Sequence, residues 1–175
     1  MSWESLATGK EVGIERTATF SPCRKYRYTL WRYWGGLFAS GYAMFIGLNS
    51  STADEKNDDP TIRRCMGYAN DWGYAGIYMG NLFGYQATNP EDMKTAEDPV
   101  GPDNDRFLLD MAKDAGIIIA AWGVHGAYRQ RDKQVIKMFP ELHCLKLTKD
   151  RHPAHPLYLP AKLKPIPFTI RRLNA

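Results

Sequence analysis

Cysteine is scarce in this chain and poorly spaced for chemistry. Cys23, Cys65 and Cys144 lie far apart with no C-x-x-C pair, and an odd count argues against a disulfide framework. Cys65 and Cys144 fall on apolar faces and read as small core residues. Long apolar runs are also missing: nothing approaches the roughly 18 residues of a membrane span. The first residues carry Glu4 and no apolar core, so they do not read as a signal peptide. The expectation is a cytoplasmic protein with no membrane partner. No G-x-x-x-x-G-K-[ST] loop occurs, which argues against nucleoside triphosphate hydrolysis, and no G-x-S-x-G elbow marks a serine hydrolase. His125, His152 and His155 have no Cys or Asp at a fixed spacing, so neither a metal nor any other cofactor is expected.

What is present suits a single domain over residues 1–175, long enough to bury most of its apolar surface without staples. The 44% hydrophobic and 24% charged content is that of a globular protein. The net charge of +4 conceals an asymmetry. Residues 1–127 hold 12 Lys/Arg against 16 Asp/Glu, whereas residues 128–175 hold 11 against 3. A basic final third beside an acidic remainder fits either a polyanion-binding edge or a solvated basic face.

The organising stretch is Tyr42 to Thr61. An apolar run, Tyr42 to Leu48, breaks at Gly47-Leu48-Asn49 into a polar loop. The loop closes on Asp59-Pro60, a capping acid before a proline at the first helical position. A strand that passes to a helix through Gly and Asn sits at the carboxyl edge of a parallel sheet, where open α/β sheets bind ligands.

Upstream, residues 1–16 read as a loose arm. The aromatic alternation from Thr17 to Gly36, turned at Ser21-Pro22, predicts a β-hairpin. Its interleaved Arg24, Lys25, Arg27 and Arg32 fit either base stacking with phosphate pairing or an amphipathic sheet edge.

Downstream, a helix from Pro60 carries Ile62, Cys65, Met66 and Ala69 on one face and ends at Trp72-Gly73. Strands follow at 76–83, 116–123 and 142–147, helices at 102–115 and 126–138, and a polar loop at 91–101. Residues 160–175, with Pro160, Pro165 and Pro167, form an extended tail. The expected fold is α/β, a three-layer αβα arrangement. Its central sheet is mostly parallel with about four strands, preceded by the hairpin.

Four loops then converge on the carboxyl edge. They hold Asn49-Ser50-Ser51-Thr52, Asn81, Gly123-Val124-His125-Gly126 and His152-Pro153-Ala154-His155-Pro156. Each also has an ordinary structural reading: Asn49 as a turn-closing residue, Asn81 as a satisfied strand end, Trp122 as core.

The strings GLNSSTADEKNDDPTIRRC, WGYAGIYMGNLFGYQAT, DPVGPDND, AWGVHG and HPAHPLYL resemble a domain family of unknown function found in bacteria and bacteriophages. The likeness runs from about Arg24 to Leu159. Where that family usually shows Asn-Pro-Ser-Thr, this chain has Asn49-Ser50-Ser51-Thr52.

The order of motifs also resembles the uracil-DNA glycosylase superfamily. Gly47-Leu48-Asn49 is similar to its first loop, Asn81 to its base-reading Asn, and Trp122-Gly123 to the end of its apolar strand. His155-Pro156-Leu157 or His152-Pro153-Ala154 is similar to its last loop. The resemblance implies that Asn49 positions a water, that Asn81 reads a base edge, and that His155 or His152 steadies the departing base anion. It also implies that Leu157 wedges into a duplex.

On this basis the expected catalytic residues are Asn49, His155 and His152. Gly47, Leu48, Ser50, Ser51, Asn81, Tyr85 and Leu157 are the expected substrate contacts. Arg129, Arg131, Lys133, Lys149 and Arg151 are the expected nucleic-acid contacts. The expected function is a DNA N-glycosylase-like enzyme acting on a modified or damaged base, with DNA or another nucleobase-containing ligand as its partner. A non-catalytic module for modified nucleic acid, or an enzyme of free nucleosides or nucleotides, are the alternatives.

Overall fold

A computed structural model describes residues 13–51 and 53–168. Most of the expected N-terminal arm, Thr52 of the first loop and the end of the expected tail lie outside the described residues.

The fold is mixed α/β, built on one seven-stranded sheet in the order β1-β2-β4-β3-β5-β6-β7. Strands β1 (Glu15–Phe20) and β2 (Arg27–Tyr33) are antiparallel, and β2 continues antiparallel onto β4 (Gly76–Gln86). Strand β3 (Tyr42–Ser50) lies parallel between β4 and β5 (Ala115–Ala120), and β5 is parallel to β6 (Leu142–Cys144). Strand β7 (Ile166–Phe168) closes the far edge antiparallel to β6.

The expectation of about four strands is therefore too small. The hairpin is not an appendage but part of the sheet, and the expected tail contributes an edge strand. Both additions rest on long-range antiparallel pairing, which local periodicity does not encode.

Ala43, Met44, Phe45 and Ile46 are consecutive and fully buried, as in a strand covered on both faces. Alternate residues feed two cores. Phe45 joins Leu30, Ile77, Ile119 and helix α1 (Pro60–Asp71) in one core. Met44 and Ile46 join Leu108, Met111, Val135 and Ile136 in the other. Those four residues belong to helices α3 (Asn104–Lys113) and α4 (Arg131–Met138).

Helix α1 starts as its sequence dictates: Asp59 accepts from the Ile62 N–H at 2.8 Å, with Pro60 at the first helical position. It ends at Trp72, followed by Gly73 with φ +86°, a conformation that glycine adopts without strain.

Several boundaries depart from expectation: β1 begins inside the expected arm, β4 runs on to Gln86, and β5 and β6 stop at Ala120 and Cys144 rather than 123 and 147. A short helix, α2 (Pro90–Thr95), capped by Asn89, replaces the start of the 91–101 loop. The helix expected over 126–138 begins only at Arg131. Before it, a 3-10 segment (Val124–Gln130) is kinked by Tyr128 (ψ 130°) and by Arg129 and Gln130 with φ 51° and 54°. Strand β3 runs on through Gly47-Leu48-Asn49 to Ser50, so the polar loop opens later than predicted. Among the described residues no helix is long and apolar enough to cross a membrane.

Candidate functional site

The end of β3 is irregular where it matters. Asn49 faces Phe83 but Ser50 faces Gln86, so β4 bulges against this point. The Asn49 amide locks the bulge, donating to Ala87 O at 2.6 Å and Ser50 O at 3.1 Å. Ser50 is fully buried and donates to Gly84 O at 3.1 Å. Ser51 donates to Asp59 Oδ2 at 2.7 Å, tying the loop to the start of α1.

Arg32 anchors the rest of that loop. Its guanidinium, wholly buried, pairs with Asp58 at 2.6 Å and donates to the carbonyls of Asp54 and Asn57. It is therefore a structural cation, not a phosphate contact.

The last loop is carried in by a ladder of its own. Gly123 N–H donates to Pro153 O, Ala154 N–H to Lys146 O and Thr148 N–H to His152 O, each at 2.8 Å. Helix α1 then pins the segment beyond: Arg64 reaches Leu159 O, Tyr68 donates to Pro160 O at 2.5 Å and Trp72 to Leu163 O at 2.9 Å. This scaffold presents His155 and the 3-10 turn Pro156–Tyr158.

These elements surround a cleft of about 770 Å³. Gly47, Leu48, Asn49, Ser51, Asn81, His155 and Leu157 all line it, as do Trp122 and Gly123. Gly47 is required by proximity: a Cβ there would come within 2.8 Å of Asn81 Oδ1 and 2.9 Å of Met79 Cε.

Asn81 is 2% exposed and its Nδ2 has no hydrogen-bond partner. A buried orphan donor of this kind calls for an explanation, and a ligand acceptor is one. His155 accepts from the Leu157 N–H at Nδ1, 3.3 Å away, which leaves its proton on Nε2. Burial pushes its pKa down from the usual value, opposed by the more distant Asp59 carboxylate. The ring is thus a neutral donor at neutral pH.

Other expected site residues lie elsewhere. His152 is absent from the cleft wall; its backbone closes a turn on Thr148, whose Oγ1 accepts its N–H at 3.1 Å. Ser50, fully buried, is absent from the cleft wall too. Tyr85 is absent from the wall as well and packs edge-on to Tyr26 at 5.9 Å. Arg131, expected on an outer face, is 2% exposed: it donates to Leu82 O at 2.9 Å and pairs with Asp105. Arg129, Lys133 and Lys149 are exposed and Arg151 half-buried, all outside the cleft wall.

Conversely, Asp59, Thr148 and Tyr158 line the cleft without having been assigned a ligand contact, as do Arg27, read as a basic residue of the hairpin, and His125, read as part of a converging loop. For Asp59 the sequence signal exists, but its capping role accounts for it equally well. Arg27 reaches the cleft through the β2–β4 pairing, which no local pattern reveals. A second concavity, about 840 Å³ between α3 and the end of α4, is lined by Leu109, Ile118, Met138 and Phe139 and holds none of the candidate residues. Among the described residues no group of three or more His, Cys, Asp or Glu is placed to hold a metal.

A family model described as "Protein of unknown function (DUF1643)" matches residues 27–157. No curated protein and no solved structure matches the chain.

Proposed function

Because the chain belongs to that family of unknown function, whose description names no activity, we propose from the cleft itself that the protein binds a nucleobase. We further propose that it acts on DNA as an N-glycosylase-like enzyme specific for a modified or damaged base. The observation that carries the reading is convergence. Gly47-Leu48-Asn49, Asn81, Trp122-Gly123 and His155-Leu157, up to 110 positions apart in the chain, line one cleft. We read the two cores as the interfaces of a three-layer αβα stack, with this cleft at the carboxyl edge of its parallel strands.

Cleavage of an N-glycosidic bond requires a base out of the stack, groups that read it and a donor for the charge that develops on it. Asn81 supplies a directional amide, able to pair with one acceptor and one donor on a base edge. His155 supplies a neutral N–H from Nε2, aimed at a leaving anion. The Asn49 amide nitrogen is held by backbone, so the group left to orient a water is its Oδ1. Leu157 and the exposed Tyr158 also line the cleft and are the side chains offered to fill the place of a displaced base.

The test is incubation with single-stranded and duplex DNA carrying uracil, hypoxanthine or 5-hydroxymethyluracil, followed by alkaline cleavage at abasic sites. Strand breaks that vanish in Asn49→Ala and His155→Ala are expected. No abasic site from any substrate, with DNA binding untouched in both variants, would sink the enzymatic reading. A cleft of about 770 Å³ has room for more than a base. Release of free base from nucleosides but not from DNA would therefore favour a nucleoside hydrolase.

A further inference from the structure

Two buried donors without a partner belong to residues of one cleft wall: Arg27 Nε and Asn81 Nδ2. Each residue is 2% exposed. Native interiors leave few such groups unpaired, because each has lost its water without replacement. His155 Nε2–H adds a third donor on the same wall. Three donors from three separate elements describe the complement of an acceptor-rich ligand.

The wall is also cationic. Burial pushes the Arg27 guanidinium down to about 10, against the attraction of Asp59, so it stays charged at neutral pH. Its Nη1 donates to Ala53 O. No ion pair joins it to a carboxylate among the described residues. Asp59 acts on it only from longer range, and both Asp59 oxygens are engaged, by Ser51 Oγ and the Ile62 N–H. A desolvated cation with a free N–H and no counter-ion beside it is poised for an anionic ligand group.

We infer that Arg27 determines the specificity of the cleft, and that the ligand it selects is a heterocycle carrying an acidic substituent. This rests on the nucleobase reading above and narrows it to one chemical class. An amino-substituted base presents donors to this wall and leaves the guanidinium unanswered. A carboxylate-bearing base satisfies both.

The experiment is titration calorimetry of the full chain with uracil, 5-carboxyuracil and cytosine. A charge-assisted hydrogen bond gained on binding corresponds to a preference of about tenfold or more, so 5-carboxyuracil should bind at least that much tighter than uracil, and cytosine weakest. The preference should shrink to about twofold in Arg27→Gln. Arg27→Lys keeps the charge but not the fork; it should show an intermediate preference, and it carries the test if Arg27→Gln does not fold. A purely structural Arg27 would change stability and leave the ratio alone. Equal binding of uracil and 5-carboxyuracil, or a full preference retained in a folded Arg27 variant, overturns this inference and leaves the nucleobase reading standing. Binding of none of the three overturns both.

Discussion

His155 Nδ1 accepts the Leu157 N–H at 3.3 Å, and this one contact decides which ring nitrogen is left to donate. It also makes protonation unfavourable, since charging the ring breaks the contact in a site where burial already holds the pKa below its usual 6.5. The sign of the pH effect follows. The unfolded chain binds the proton more readily, so the stability contribution is fully present above about 6.5 and is lost as the pH falls toward the folded-state value. Denaturant unfolding of the wild type between pH 7.5 and 5 should show this loss, and His155→Gln should flatten it. Identical pH profiles would mean that the ring is not desolvated as described.

Arg32 and Asp58, with side chains 0% and 7% exposed, meet at 2.6 Å. Removing one partner of a buried pair strands the other charge, typically at about 3–5 kcal/mol. Asp58→Ala should approach that loss in chemical denaturation, and Arg32→Ala should fall short of it because Arg16 still pairs with Asp58 at 3.3 Å. The double substitution should lose clearly less than the sum of the two. Additive losses would show that the pair does not hold the 53–58 segment.

At Gly47 a methyl group has nowhere to go, since an added Cβ would meet both Asn81 Oδ1 and Met79 Cε inside 3 Å. Overpacking of this kind is typically destabilising by about 1–3 kcal/mol. Gly47→Ala should therefore lower stability and displace Asn81, weakening nucleobase binding. Gly73→Ala is the control: its φ of +86° strains the new residue, but Gly73 is not part of the cleft wall and its replacement should leave binding unchanged. Asn81→Ala separates the two effects in the other direction. It removes an orphan donor, so binding should fall while stability changes little. A large loss of stability from Asn81→Ala would show that its amide is already satisfied by the protein.

How much of this was legible in the sequence depended on range. The Asp59-Pro60 start of α1, its buried Ile62-Cys65-Met66-Ala69 face and the stop at Gly73 are local events, written in adjacent residues. The meeting of Asn81 with Gly47 was accessible because parallel strand ends share an edge. Arg27, Arg32 and Arg131 were not legible as buried residues. A basic side chain in a strand or helix reads as exposed, and only the carbonyls and carboxylates that receive it, such as Leu82 O for Arg131, make burial tolerable. Those partners lie tens of positions away. The kink at Arg129 and Gln130 was hidden for the same reason, since two non-glycine residues with positive φ follow no local rule.

The basic final third separates into two kinds of residue, and this bears on how DNA binding should be tested. Arg131 is spent inside the protein on Leu82 O and Asp105. Replacing it leaves the buried Leu82 carbonyl unpaired, which should lower stability by about 1–3 kcal/mol and depress DNA affinity only by unfolding. Arg129 and Lys133 are exposed, so Arg129→Glu with Lys133→Glu should stay within about 0.5 kcal/mol of wild type per site. If that face contacts phosphate, the slope of log affinity against log salt should fall by about 2 for the two lost contacts. Fluorescence anisotropy across a salt series distinguishes the outcomes. An unchanged slope in the stable double variant removes this face from the DNA path and moves the search to Lys149 and Arg151, the basic residues of the loop that delivers His155.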